Sequence, residues 1–213
     1  LGASGTWTRY ASAIRMEDEG HTKIYARTVD KVGHVGAEAE LEIRIDLTDP
    51  AEPTMQATGP IVADGWASGP VTVTDALSGV DYTEYKIGYD GTWTRYVTAI
   101  PVEDEGITQI YARTADLAGN TSAEAKLEIQ IDETAPAVPT MNATGPLGAS
   151  GWASGTVSVT LADGTDALSG VDYTEYKLGA NGTWTRYASG IQVEGEGHTN
   201  IYARTVDKAG NVG

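Results

Sequence analysis

The hexapeptide GTWTRY occupies residues 5–10, 91–96 and 182–187, so that Trp7 and Trp93 lie 86 residues apart and Trp93 and Trp184 lie 91 apart. Around Tyr25, Tyr111 and Tyr202 the text KIYARTVDKVGH, QIYARTADLAGN and NIYARTVDKAGN returns at the same two intervals. A sentence written three times folds into three equivalent pieces of structure, and its period restricts their kind. Solenoid repeats run from about 20 to 50 residues and cannot bury a core singly, whereas a unit of this length lies in the range of an independent domain. The chain reads as domains in series: 1–48 is the later part of a unit, 49–134 a complete unit, and 135–213 a unit lacking its last strand. The five extra residues of the longer interval sit where VTVTDALSGVDYTEY at 71–85 becomes VSVTLADGTDALSGVDYTEY at 157–176, and such an insertion belongs in a turn.

Alternation with a period of two is clearest in AEAKLEIQID at 123–132. Ala125, Leu127, Ile129 and Ile131 share one face and Glu124, Lys126, Glu128 and Gln130 the other, the pattern of a half-buried strand. Ala39, Leu41, Ile43 and Ile45 repeat it in the first copy. Further alternating runs hold Val71 and Val73, Tyr85 and Ile87, Ile100 and Val102, and Ile110, Ala112 and Thr114. Asp90-Gly91, Glu105-Gly106 and Gly119-Asn120 mark turns between them. With many short strands and no helical periodicity, the expected fold is all-β: tandem antiparallel β-sandwiches of immunoglobulin type.

Parity also assigns faces within the hexapeptide. Trp93 and Arg95 share one face and Tyr96 takes the other, so Tyr96 is expected inside and the tryptophan and arginine outside; Trp7 with Arg9 and Trp184 with Arg186 repeat the arrangement. A guanidinium beside an indole implies stacking, and the outer face reads as an aromatic and arginine ladder that shields the sheet. Tyr111 and Arg113 repeat the spacing on the following strand.

Taken in order, DALSGV, TEYK, DGTWTRY, the EDEG turn, IYARTADLAGN and a terminal IDETAP resemble the bacterial Ig-like repeats found in tandem in large surface and secreted proteins. The resemblance covers essentially the whole chain. It implies a spacer, stalk or adhesive module, and some related repeats bind calcium near domain junctions. One departure is His34, which stands where the other copies have Asn120 and Asn211. If that Asn supports a turn or a ligand, the first copy does so differently.

Enzymatic chemistry has little to work with. The chain has no cysteine, no serine in a nucleophile-elbow context, and its paired acids Glu103 and Glu105 lie in a glycine turn. His21 and His198 correspond to Ile107, so the histidines form no recurring site. A net charge of −16 disfavours nucleic acid and anionic lipid as partners, and no apolar run is long enough for insertion as a membrane helix. No cofactor is required, and calcium is the one ion the acidic turns suit, since it takes six to eight oxygens. The candidate ligands are Asp46 and Asp49 in the first linker, Asp132 and Glu133 in the second, the turn acids Asp116 and Asp207, and the cluster Asp163, Asp166 and Asp172. The alternative is that these aspartates only start turns. Sequons at Asn120, Asn142 and Asn181 read as incidental, because Gln56 and Asp90 replace two of them in the second copy.

The linkers IDLTDPAEP and IDETAPAVP each carry two prolines, which restrict the backbone and favour short, stiff joints. The leading expectation is a noncatalytic spacer of an extracellular or cell-surface protein, surface layer, adhesin or filament, in contact with neighbouring repeats or other copies of itself. The rival is a glycan-binding accessory module of a secreted enzyme, its tryptophans stacked on surface polysaccharide. The incomplete terminal units imply either a window on a longer array or strand addition between subunits, with residues 37–46 of one chain filling the vacant edge of another. The unit at 49–134 is the one expected to fold alone, and 1–46 is expected to need a partner.

Overall fold

The computed structural model of the chain describes residues 5–61, 65–67, 71–75 and 80–213, with 71–75 described through their backbone. Among the described residues every regular element is a strand, so the all-β expectation holds. In the first copy β1 (Gly20–Ala26) pairs antiparallel with β2 (Ala39–Ile45), from Gly20 opposite Ile45 to Ala26 opposite Ala39. The second copy contains β3 (Met55–Thr58), β4 (Trp66–Ala67), β5 (Val71–Asp75), β6 (Tyr82–Ile87), β7 (Thr94–Arg95), β8 (Ile100–Val102), β9 (Gly106–Ala115) and β10 (Ala125–Ile131). The third contains β11 (Thr140–Thr144), β12 (Val157–Ala162), β13 (Val171–Leu178), β14 (Thr185–Arg186), β15 (Ile191–Val193) and β16 (Ile201–Asp207).

The strands of the second copy form one sheet in the order β4-β10-β9-β6-β7 and another in the order β3-β5-β8. Both contribute to one core, which holds Ala67, Ile100, Val102, Ile110, Ile129 and Ile131, with Met55, Ala57, Tyr85, Tyr96 and Leu127 against it. Two sheets sharing apolar faces is the packing of a β-sandwich. Ile110 and Ile131 have no exposed surface, and each burial contributes roughly 1.5–3 kcal/mol. The third copy repeats the plan with sheets β11-β12-β15 and β14-β13-β16 around Val159, Leu161 and Ile191. Pairing between β13 and β16 matches that between β6 and β9: Tyr176 faces Ala203 as Tyr85 faces Ala112.

Period-two alternation predicted these faces well. Ile129 and Ile131 are buried on β10 while Glu128 is exposed, and Tyr96 and Tyr187 pack against the two cores. Leu41 follows the same pattern on β2 yet is 59% exposed, because among the described residues no second sheet covers that face. Val71 and Val73 lie on β5, whose side chains fall outside the described residues. With the insertion β12 runs one residue longer than β5: Leu161 faces Met141 as Asp75 faces Met55, Ala162 is added opposite Thr140, and the remaining inserted residues lie in the connection to β13.

Candidate metal centre at the second linker

The turn after β16 is organised by a single aspartate. Asp207 accepts the backbone N–H of Asn211 on Oδ1 at 2.8 Å and the Asn211 carboxamide on Oδ2 at 2.9 Å. Gly210 sits between them at φ 93°, a left-handed conformation that costs glycine little. The same carboxamide reaches back across the chain, donating to the Asp132 carbonyl at 2.9 Å and, more weakly, to the Thr134 carbonyl at 3.5 Å. A carboxamide NH2 has two hydrogens, so one group can serve its own turn and the linker together.

Asp132 follows β10 and is fully buried. Its amide donates to the Ala67 carbonyl at 2.9 Å, its Oδ1 accepts from the Thr134 amide at 3.1 Å, and its Oδ2 accepts from the Ser169 amide at 2.9 Å. Asp166 opens the loop that holds Ser169, and its Oδ1 accepts the amides of Leu168 and Gly170 at 3.1 and 2.6 Å. Linker, loop and turn thus bring Asp132, Asp166 and Asp207 together, with one carboxylate oxygen of each within 4.8 Å of the others. Asp207 is buried as deeply as Asp132, and Asp166 is half-buried.

Like charges this close repel, by about 4 kcal/mol for a pair at 4 Å in an effective dielectric near 20. The ion pairs of the described residues include none of the three; Arg186 is spent on Asp172 and Arg204 on Glu175. Lys208 Nζ lies near Gly170 without pairing to them. The hydroxyl of Ser169, the residue whose amide binds Asp132, is buried without a partner among the described residues. An all-oxygen donor set with excess negative charge suits a hard divalent cation, and these residues fit calcium chemistry.

The remaining sequence candidates lie apart from this cluster. Asp163 accepts the Thr174 hydroxyl at 2.7 Å, and Asp172 pairs with Arg186 at 2.9 Å, so the structure groups Asp166 with Asp132 and Asp207 instead of with those two. Glu133 is exposed and offers its amide to Glu105 at 2.6 Å; Asp49 is exposed in the first linker. By repeat spacing the first-linker counterparts of the three are Asp46, Asp75 and Asp116, and the Asp75 side chain lies outside the described residues.

The first linker has the same hydrogen bonds. Asn120 Nδ2 donates to Asp116 Oδ2 at 2.8 Å and to the carbonyls of Asp46 and Thr48 at 3.1 and 3.5 Å. That carboxamide, helped by the N–H groups of Asn120, Gly119 and Ala118, holds the Asp116 carboxyl below its usual range although burial opposes the shift. The preceding copy also holds each linker. Thr48 donates its hydroxyl to Glu19 at 2.7 Å, and Thr134 to Glu105 at 2.9 Å. The Thr48 bond leads the causes that depress the Glu19 pKa. Sequence reasoning placed Glu105 in its glycine turn and missed the hold of Glu19 and Glu105 on the linkers, whose signal was their recurrence two residues before an apolar or histidine position in each such turn.

The aromatic face is a stack, with partners that parity did not reveal. Trp93 receives Arg113 at 4.2 Å and Lys86 at 4.7 Å, and Trp184 receives Arg204 at 4.1 Å and Lys177 at 4.9 Å. Arg27 lies over Trp7 at 4.0 Å. Arg95 and Arg186 instead cover Tyr82 and Tyr173, at 4.0 and 3.8 Å, and Arg9 is exposed. Arg113 and Arg204 are fixed in turn by Glu84 and Glu175.

No protein-family model matches the chain, and no curated protein matches its sequence.

Proposed function

We propose that the chain is a noncatalytic spacer of an extracellular or cell-surface protein, such as a surface layer, adhesin stalk or filament, built from immunoglobulin-like sandwiches in tandem. Its second joint holds a hard divalent cation, calcium by the chemistry of its ligands. The observation that carries this reading is the origin of the three carboxylates: Asp132 comes from the linker, while Asp166 and Asp207 come from the copy that follows. A bound cation would neutralise the three charges at once, and its affinity for the assembled joint would appear as stability of the folded, aligned state. Asp132, Asp166 and Asp207 would hold it, and the Ser169, Thr134 and Asn211 donors keep the carboxylates oriented.

The rival glycan-binding reading needs free aromatic faces. Trp93 and Trp184 each carry two cations at stacking distance, which leaves less indole surface for a sugar ring. X-ray scattering from the full chain, paired with an immobilised glycan panel, tests the proposal. An elongated particle that loosens on chelation, with no competable glycan binding, is expected. A compact or freely jointed particle in calcium, or glycan binding lost in the Trp93→Ala, Trp184→Ala double variant, would overturn it.

A further inference from the structure

We infer that Asn120 and Asn211 are the residues that fix the orientation of each copy relative to the one before it, and that the residue type at this position decides whether a joint is locked. The observation is a shared hydrogen-bond donor. Each carboxamide satisfies the aspartate of its own turn and also the two linker carbonyls, Asp46 and Thr48 at the first joint and Asp132 and Thr134 at the second. One carbonyl at each joint belongs to a linker threonine, Thr48 or Thr134, whose hydroxyl is held from the other side by Glu19 or Glu105. The linker is therefore gripped by the preceding copy through a carboxylate and by the following copy through a carboxamide. Proline stiffens the chain locally, but it makes no contact of this kind between copies.

The first copy shows that the turn itself does not depend on asparagine. His34 occupies the position, its N–H donates to Asp30 Oδ1 at 2.8 Å, and its ring Nδ1 meets Asp30 Oδ2 at 2.9 Å. Gly33 keeps a φ of 97°, the same as Gly119. An imidazole nitrogen carries at most one hydrogen, so a ring bonded through Nδ1 to its own aspartate has none left on that atom for a linker carbonyl. Histidine preserves the turn and cannot make the clasp as asparagine does. The pair Asn120→His and Asn211→His therefore separates folding of the turn from locking of the joint, using a residue this chain already places in that turn.

The test uses the full chain with nitroxides on introduced cysteines at Ser12 and Thr98 for the first joint, or Thr98 and Ser189 for the second. These equivalent positions are exposed, and the native chain has no cysteine to interfere. Distances are measured in chelator, so that cation binding contributes nothing and the result stands apart from the proposed metal. Asn120→His is expected to abolish the narrow distance distribution across the first joint and leave the second unchanged; Asn211→His is expected to do the reverse. Asn→Ala variants should behave alike, since Asp116 still accepts three backbone amides. Unchanged distributions in both substitutions at a joint would overturn the inference, and so would broadening at both joints from a single substitution.

Discussion

Thr174 donates its buried hydroxyl to Asp163 at 2.7 Å, whereas Thr83, its counterpart 91 residues earlier, buries the same hydroxyl with no partner among the described residues. Asp163 belongs to the five-residue insertion that the second copy lacks. A buried hydroxyl deprived of its acceptor costs about 1–3 kcal/mol. Asp163→Ala is therefore expected to destabilise the third copy by that amount in denaturant unfolding. Thr83→Val is expected to be neutral or mildly stabilising, and a loss there as large as that from Asp163→Ala would show that Thr83 has an acceptor after all.

The insertion also changes how the linker meets the sandwich. In the second copy Thr114 donates its hydroxyl directly to the Ala51 carbonyl at 2.6 Å. In the third, Thr205 accepts from the Gly164 amide at 3.2 Å, and Ala137 donates to the Thr165 carbonyl at 2.8 Å. A Cβ on Gly164 would sit 1.8 Å from the Ala137 carbonyl oxygen. Gly164→Ala must push linker and loop apart, at a cost of about 1–3 kcal/mol by comparison with overpacked interiors. Unfolding midpoints of Gly164→Ala and of Gly148→Ala, where the nearest atom lies at 3.3 Å, measure the contrast.

Acid is expected to loosen the first joint. Glu19 and Asp116 have folded pKa values below their usual 4.5 and 3.8, led by hydrogen bonds from Thr48 and Asn120 respectively. A depressed carboxylate stabilises the folded state above its unfolded pKa, and that stability is lost as pH falls through the folded value. The loss therefore begins near pH 4.5 and continues below 3.8. Scattering or spin-label distances across the first joint, followed from pH 6 down to about pH 3, should broaden in that window. In Glu19→Gln the part of the change that begins near pH 4.5 should vanish.

Cation–π contacts at exposed sites contribute about 0.5–1 kcal/mol. A double-mutant cycle on Trp93 and Arg113 should give a coupling of that size, and one on Trp93 and Arg95 should give a smaller one, because Arg95 lies on Tyr82. Equal couplings would mean that parity within the hexapeptide, and not pairing between strands, selects the partner.

That contrast shows what could be read from the sequence. Alternation along one strand identifies its buried face, so Ile129, Ile131 and Tyr96 were legible from their neighbours alone. Arg113 reaches Trp93 from another strand, with Glu84 placed opposite Arg113 by the pairing of β6 with β9, and such registers leave no local signal. The acids were harder still. Asp132, Asp166 and Asp207 are 34 and 41 residues apart, and only the return of the loop and turn onto the linker selects them from nine plausible carboxylates. Asn120 and Asn211 were conspicuous through His34, but their reach to the linker carbonyls depends on how successive copies pack.

The central claim, a cation-bearing joint in a structural spacer, is tested most directly by calorimetric melting of the full chain in calcium and in chelator, for the native sequence and for Asp166→Asn. Asp166 is the least buried of the three clustered carboxylates, so its amide variant keeps the fold while removing one charge. Calcium is expected to raise the melting temperature of the native chain, with a smaller rise in Asp166→Asn. Identical melts with and without calcium in the native chain, or an equal rise in both proteins, would contradict it.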